Sequence, residues 1–199
     1  MKRKIFCLAI ILLLGSVMLI GCASDKGPAE QAVKAAEEAI NSTKAEAAKY
    51  VPDQVKSLES ALAAVKDKFA KGEYKAAISE AQALAGKAKG VVDAAKAKKE
   101  ELTKTWTNLN EGLPKMVEAI QSRVDILSQS KKLPANLTAE KFAEAKTGLA
   151  AAKEEWAKAL ENFKAGNYAD AVSVANSVKE KAVKAMETLG LPVPAGAKS

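Results

Sequence analysis

Residues 138–172, TAEKFAEAKTGLAAAKEEWAKALENFKAGNYADAV, decide the fold. Phe142, Ala145, Leu149, Ala152, Trp156, Ala159 and Phe163 recur at alternating steps of three and four. That spacing collects them on one face of a helix and leaves the lysines and glutamates on the other. The heptad-like stripe lasts about 28 residues, or ~42 Å at 1.5 Å per residue. The Thr138 hydroxyl is placed to cap its start. Gly166 ends it, because a residue without Cβ takes the left-handed conformation beyond a helix at little cost. A second amphipathic helix follows, carrying Tyr168, Ala171, Val172, Ala175, Val178, Ala182 and Met186, and stops at Gly190. Two such helices joined by so short a turn pack antiparallel.

The same hairpin occurs a second time, at an offset of 94 residues. Phe69-Ala70-Lys71-Gly72-Glu73-Tyr74-Lys75-Ala76-Ala77-Ile78 aligns with Phe163-Lys164-Ala165-Gly166-Asn167-Tyr168-Ala169-Asp170-Ala171-Val172. Beyond that core, Leu62 aligns with Trp156, Ala81 with Ala175, Leu84 with Val178 and Ala88 with Ala182. In each copy the glycine turns the chain, the tyrosine packs into the crook, and the alanine three residues on allows close approach.

The remaining segments follow the same logic. About a fifth of the chain beyond residue 21 is alanine, with abundant Lys and Glu, all strong helix formers. No segment shows the β-branched alternation of a strand. A first helix is expected over 29–49, with Val33, Ala36, Ile40, Ala47 and Tyr50 on one face. Pro52 suits the first position of a second helix, where its missing N–H costs nothing; Val55, Leu58, Leu62, Val65 and Phe69 form its stripe. A third begins near Glu73 with Tyr74, Ala77, Ile78, Ala81, Leu84, Ala88 and Val92, and continues through Leu102, Trp106 and Leu109 to a stop at Gly112. Pro114 is expected to open a fourth, with Val117, Ile120, Val124 and Leu127 inward, before a loop over 131–136. With the pair above, that makes six helices.

The expected fold is therefore all-α: an elongated antiparallel helical bundle over residues 29–190 with two related hairpins. The hairpin repeats cover about 52–95 and 138–189, a helical connector 96–137, and a disordered tail 191–199.

The Gly-x-Tyr-x-x-Ala turn resembles that of tetratricopeptide repeats over about ten residues per copy, without their 34-residue period. A closer resemblance is to alanine-rich helical-hairpin domains of unknown function in bacterial envelope lipoproteins. They pair a Tyr-x-Pro turn, here Tyr50-Val51-Pro52, with the later Gly-x-Tyr-x-x-Ala turn, here Gly72 to Ala77. The likeness covers about 29–95; the second copy carries Leu133-Pro134 in place of Tyr-x-Pro. It implies location and shape, and no activity.

The amino terminus explains why an envelope is the expected setting. Lys2, Arg3 and Lys4 precede an apolar run from Ile5 to Ile20, broken only by Gly15 and Ser16. The run is shorter than the roughly 20 residues that span a bilayer core, which favours a removed signal over a permanent helix. It ends in Leu19-Ile20-Gly21-Cys22, which resembles the lipobox of bacterial lipoproteins. The resemblance implies cleavage between Gly21 and Cys22, a diacylglycerol on the Cys22 thiol and a fatty-acyl group, typically palmitate, on the new amine. Residues 1–21 would then be the signal peptide and 22–28 the lipidated cysteine and a short linker. A cysteine suits the task because its thiolate is the most nucleophilic ordinary side chain. Ala23, where an Asp would signal inner-membrane retention, implies the periplasmic face of the outer membrane. In a single-membrane host the same signal implies the cell surface.

Composition narrows the function classes. Removal of residues 1–21 lowers the net charge from +7 to +4, a mild basicity spread along the chain. Arg123 is then the sole arginine, so the guanidinium forks and stacking platforms of nucleic-acid readers are not assembled. The sequence has no histidine, and its two cysteines are Cys7, in the signal, and Cys22. That excludes imidazole and thiolate metal sites, disulfides and His-based catalytic triads from the mature body. The acidic residues are scattered among lysines, so no enzyme activity, metal or other cofactor is expected.

Few side chains stand out. Trp106 and Trp156 occupy stripe positions and read as core, as do Tyr74 and Tyr168 at the hairpins. Lys96 to Glu101 reads as a solvated face with charge pairs one turn apart, and Arg123 as a surface residue near Glu118 and Asp125. Asn41-Ser42-Thr43 and Asn136-Leu137-Thr138 match a eukaryotic glycosylation pattern that a bacterial lipoprotein would not use. Lys198 is followed by Ser199, unlike lipoproteins joined to peptidoglycan through a terminal lysine.

The expected function is a membrane-tethered, non-enzymatic helical spacer, scaffold or protein-interaction module. Its partners are the membrane, through acyl chains on Cys22, and other envelope proteins or the cell wall. The alternative is a module that holds a peptide, lipid or small ligand between hairpins, near Trp106 or Trp156.

Overall fold

The computed structural model describes residues 25–197, so Gly21, Cys22 and Lys198 lie outside the described residues. The chain is all-helical. Among the described residues five α-helices follow in order: α1 (Lys26–Ala47), α2 (Pro52–Ala70), α3 (Tyr74–Gln129), α4 (Ala139–Lys164) and α5 (Tyr168–Thr188). A 3-10 turn, Ala195–Ala197, closes the described chain. Among the described residues there is no strand, and no helix is long and apolar enough to cross a membrane.

The chain divides into two compact units. The first comprises α1 through Lys44, α2 from Gln54 and α3 through Gly90. Val33, Ala36 and Ile40 of α1, Val55, Leu58, Leu62 and Val65 of α2, and Ala77, Ala81, Leu84 and Ala88 of α3 are among its buried side chains. Lys66 reaches Glu37 at 2.7 Å, and Lys44 pairs with Glu59. Each step forward on α1 is thus matched by a step back on α2, which fixes them antiparallel.

The second unit comprises Ala45–Asp53 and everything from Val91 onward. Its core takes Leu102, Trp106, Leu109, Leu113, Met116, Ile120, Val124 and Leu127 from α3. Ala145, Leu149, Ala152 and Ala159 come from α4, and Ala171, Val172, Ala175, Val178, Ala182, Ala185 and Met186 from α5.

The duplicated turn is the same object in both copies. Gly72 and Gly166 each have φ +80°. Gly72 N–H donates to the Phe69 carbonyl at 3.1 Å and Glu73 N–H to that of Lys68 at 3.0 Å. The counterparts, Gly166 to Phe163 and Asn167 to Asn162, measure 3.0 and 2.9 Å. This paired closure satisfies the last carbonyls of a helix and needs a residue that tolerates positive φ. Gly190 closes α5 in the same way at φ +67°. At the other end of α4, the Thr138 hydroxyl accepts from Lys141 N–H at 3.2 Å, the expected cap.

Four expectations need correction. Gly112 does not stop a helix and Pro114 does not open one; α3 runs through both, giving five helices where six were expected. Pro114 costs about 3 kcal/mol inside a helix, for its missing N–H and the ring's clash with the preceding turn. Leu109, Leu113, Met116 and Ile120 are all buried on one uninterrupted stripe through that point. At about 1.5–3 kcal/mol for each large apolar side chain removed from water, continuity wins. The stripe's register also differs by one residue, with Val91 and Met116 buried rather than Val92 and Val117. α1 starts at Lys26, inside the expected linker. The tail beyond Leu191 carries the 3-10 turn, with Ala197 N–H bonded to the Pro194 carbonyl at 2.9 Å.

The two kinds of glycine make a contrasting prediction for urea unfolding. Gly166→Ala should lose about 1–2 kcal/mol, the cost of a Cβ in the left-handed region. Gly112→Ala should gain about 0.5–1 kcal/mol, because Gly112 is helical and a Cβ there meets nothing within 4 Å. A loss at Gly112→Ala would mean that α3 breaks there.

Candidate functional site

Five of the chain's aromatic residues form a continuous run in the second unit. Trp106 of α3 is 5 % exposed and lies flat against two rings of α4. Trp156 is 5.4 Å away at 9° between planes, and Phe163 is 4.5 Å away at 7°. Phe163 meets Tyr168 of α5 at 4.9 Å across the Gly166 turn. Tyr168 stacks on Tyr50, from the α1–α2 turn, at 6.4 Å and 24°. The equivalent pair in the first unit, Phe69 and Tyr74, meets edge-on at 5.5 Å. Aromatic contacts of these kinds contribute about 0.5–1.5 kcal/mol beyond burial. Two parallel neighbours leave Trp106 no free face, so it acts as packing.

Lys99 crowns the end of this run. Its Nζ lies 5.8 Å from the ring centres of both Tyr50 and Tyr168. The same ammonium reaches Glu46 at 3.3 Å, and Glu46 is also 3.7 Å from Lys49. The hydrogen bond from Lys99 holds the Glu46 carboxyl below its usual range, and the bond to Glu46 raises the Lys99 ammonium. A lysine stabilised in its charged form is a poor nucleophile and a poor base.

A second polar cluster joins α4 to α5. Lys181 Nζ contacts both Glu155 carboxylate oxygens, at 2.9 and 2.7 Å, and the Ser177 hydroxyl at 2.7 Å. Ser177 Oγ in turn lies 3.1 Å from Glu155. The Lys181 hydrogen bond is the main reason the Glu155 carboxyl sits below its usual range. Every member already has a partner, so the cluster reads as a clasp on the hairpin.

Among the grooves of this unit, two have mainly apolar linings. One, of about 620 Å³, runs between α4 and α5 over Ala143, Gly148, Ala151 and Ala185, with Glu140 and Lys184 at its edges. The other, of about 490 Å³, lies between α3, α5 and the tail, over Leu109, Leu113 and Met116. No group of three or more His, Cys, Asp or Glu among the described residues could hold a metal ion.

The structure brings Trp106 and Trp156 together, and seats Tyr74 and Tyr168 at their hairpin turns. The Lys96–Glu101 run is divided: Lys98 pairs with Glu101 at 2.8 Å, while Lys99 serves the tyrosines and Glu46. Arg123 is half-buried rather than on the open surface, with an Nε that is buried without a hydrogen-bond partner. Asp125 accepts from Gln121 at 2.6 Å instead. Thr43, within the Asn41-Ser42-Thr43 match, is buried in α1 with its hydroxyl donating to the Ala39 carbonyl. Tyr50 and Lys99 join the aromatic run through contacts distant in sequence, and the tail groove needs a segment expected to have no structure. Only the Tyr-x-Pro turn hinted at the first.

The chain matches no family model, no curated protein and no solved structure.

The Glu155 clasp generates a pH prediction. A carboxyl whose folded pKa lies below its unfolded one contributes stability above the unfolded value, here 4.5, and loses it as pH falls through the folded value. Glu155→Gln should therefore cost about 0.5–1 kcal/mol at neutral pH, the magnitude of a partly exposed pair, and progressively less as pH falls below 4.5. Urea titrations of both proteins at several pH values measure it. An unchanged gap between them at low pH would remove the clasp.

Proposed function

We propose that this protein is a membrane-tethered envelope lipoprotein, a non-enzymatic helical spacer, scaffold or interaction module held by acyl chains on Cys22. The observation that carries this reading is the short interval between the lipobox and the folded body. Leu19-Ile20-Gly21-Cys22 is followed by Ala23, Ser24 and Asp25, and α1 begins at Lys26. Three intervening residues span at most about 11 Å, so a lipid on Cys22 would hold the start of α1 beside the headgroups.

The energetics support a firm anchor. Each buried methylene contributes about 0.8 kcal/mol; one chain binds marginally, and two or more hold stably. The absence of histidine from the sequence and the placement of its two cysteines leave the mature body without thiol or imidazole chemistry. Its clustered charges at Glu46–Lys99 and Glu155–Lys181 are paired with each other. Ala23 after the cysteine favours the periplasmic face of the outer membrane. A peptide-binding role, the second reading, draws its support from the tail groove.

Growth of a producing bacterium with an alkyne-tagged fatty acid tests the anchor. Label should enter the mature chain, and Cys22→Ala should abolish labelling and leave an uncleaved precursor. Persistent labelling of Cys22→Ala, or an unlabelled mature wild-type chain, would contradict the reading. Cross-linking of intact cells should trap the mature chain with envelope components; recovery only as free monomer counts against a scaffold.

A further inference from the structure

We propose that the Gly72 hairpin turn is a second membrane contact, its Phe69–Tyr74 pair resting in the headgroup layer beside the lipid on Cys22. This rests on the anchor proposed above and adds the face of the first unit that meets the bilayer. Ion pairs set the register of α1 on α2. Glu37 faces Lys66 and, seven residues on, Lys44 faces Glu59, seven residues back. Carried towards the start of α1, the same register sets Ala29 level with Tyr74, at the turn. Ala29 is wholly buried, so α1 is packed into its first turn. Lys26 stands about 5 Å further along the axis, and the link to Cys22 adds at most about 11 Å. The anchor and the Gly72 turn therefore lie at the same end of this unit.

The two copies of the turn differ in what covers their aromatics. In the second, Trp106 stacks on Phe163, and Tyr50 stacks on Tyr168 beneath Lys99. In the first, Phe69 and Tyr74 meet each other at 5.5 Å and no other ring among the described residues. Both are half-buried. Aromatic rings, above all one with a polar tip, suit the boundary between acyl chains and headgroups. Charge contributes little there. Lys26, Lys68, Lys71 and Lys75 are offset by Asp25, Glu30, Asp67, Glu73 and Glu80, and Lys68 and Lys71 are already paired with Glu80 and Asp67. The partner is thus the interfacial layer itself, and anionic and zwitterionic bilayers serve alike.

Two half-exposed rings would not hold a free protein on a bilayer. On a tethered one the second contact is intramolecular, with an effective concentration of about millimolar for a short link, so a weak contact suffices. Its consequence is orientation. With the start of α1 and the adjoining turn both at the surface, the opposite end of this unit, near Lys44 and Lys56, faces away from the bilayer.

The test uses the full mature chain, acylated in a producing bacterium and reconstituted into phosphatidylcholine vesicles that carry a nitroxide near the headgroups. Cys22 is the only cysteine beyond the signal, so acylation leaves no free thiol. A fluorophore is placed at Glu73→Cys, in the turn, or at Lys56→Cys, about 20 Å back along α2. Both positions are exposed. The label at Glu73→Cys should be quenched at least threefold more than that at Lys56→Cys, and added phosphatidylglycerol should not alter the ratio. Phe69→Ser in the Glu73→Cys chain should at least halve the excess. Equal quenching at the two positions, or an excess that Phe69→Ser leaves intact, would overturn this inference and spare the anchor, provided the chains float with the vesicles. Chains that do not float would overturn the anchor and this inference together. Should Glu73→Cys lower helicity, Lys75→Cys, exposed on the first turn of α3, replaces it with the same expected excess; no excess there overturns the proposal.

Discussion

Burial of alanine at the helix seams is the constraint on which the rest of this protein depends. Ala36, Ala77, Ala81, Ala159, Ala171, Ala175 and Ala182 are wholly buried. Each removes only a methyl group from water, about 0.8 kcal/mol, so no single one holds the fold. Their importance is steric. A seam of methyls sets neighbouring helices at the short end of the 8–10 Å range for packed axes. At that spacing a tight glycine turn can join two helices, with an aromatic pair packed beside it. Gly72 and Gly166 make the turns; Phe69–Tyr74 and Phe163–Tyr168 are the pairs.

The same constraint shapes what the surface offers. Close-packed seams leave open grooves, some along a hairpin, as between α4 and α5, and some where a third element joins the packing. The tail groove is the clearest instance, with its leucine floor on α3 and its wall on α5. The aromatic run reaches from the core to the surface: Trp106 and Tyr50 are buried, Trp156, Phe163 and Tyr168 are half-buried, and Lys99 is held by Glu46. On the reading proposed above, the chemistry of this protein lies outside the packed body, at Cys22.

How much of this was legible in the sequence follows from the range of the forces involved. The helices, the duplicated turn, the Thr138 cap and the stop glycines were readable because backbone conformation and periodicity are local. The continuity of α3 was misread for the same reason. Gly112 and Pro114 are strong local signals, but the stripe from Leu102 to Leu127 is a longer-range one, and its burial outweighs them. Tyr168 was read as core, and its contacts with Tyr50 and Lys99 were not foreseen. Those contacts depend on which helices become neighbours, and amphipathic stripes alone do not specify that. The tail was expected to be disordered because of its prolines, which preclude an α-helix without precluding the 3-10 turn at Ala195–Ala197.

The seam account is tested most directly by enlarging one equivalent alanine in each repeat. Ala77 and Ala171 are both wholly buried, while Ala169 on the same turn is exposed. Urea unfolding of Ala77→Leu and Ala171→Leu should show losses of about 1–3 kcal/mol each, the usual cost of overpacking a close-packed site. Ala169→Leu should change stability by less than about 0.5 kcal/mol, as expected of a surface substitution. Losses at both buried positions and none at the exposed one would bear the account out. Wild-type stability in Ala77→Leu and Ala171→Leu would contradict it, because helices that accept leucine there are not held at alanine distance.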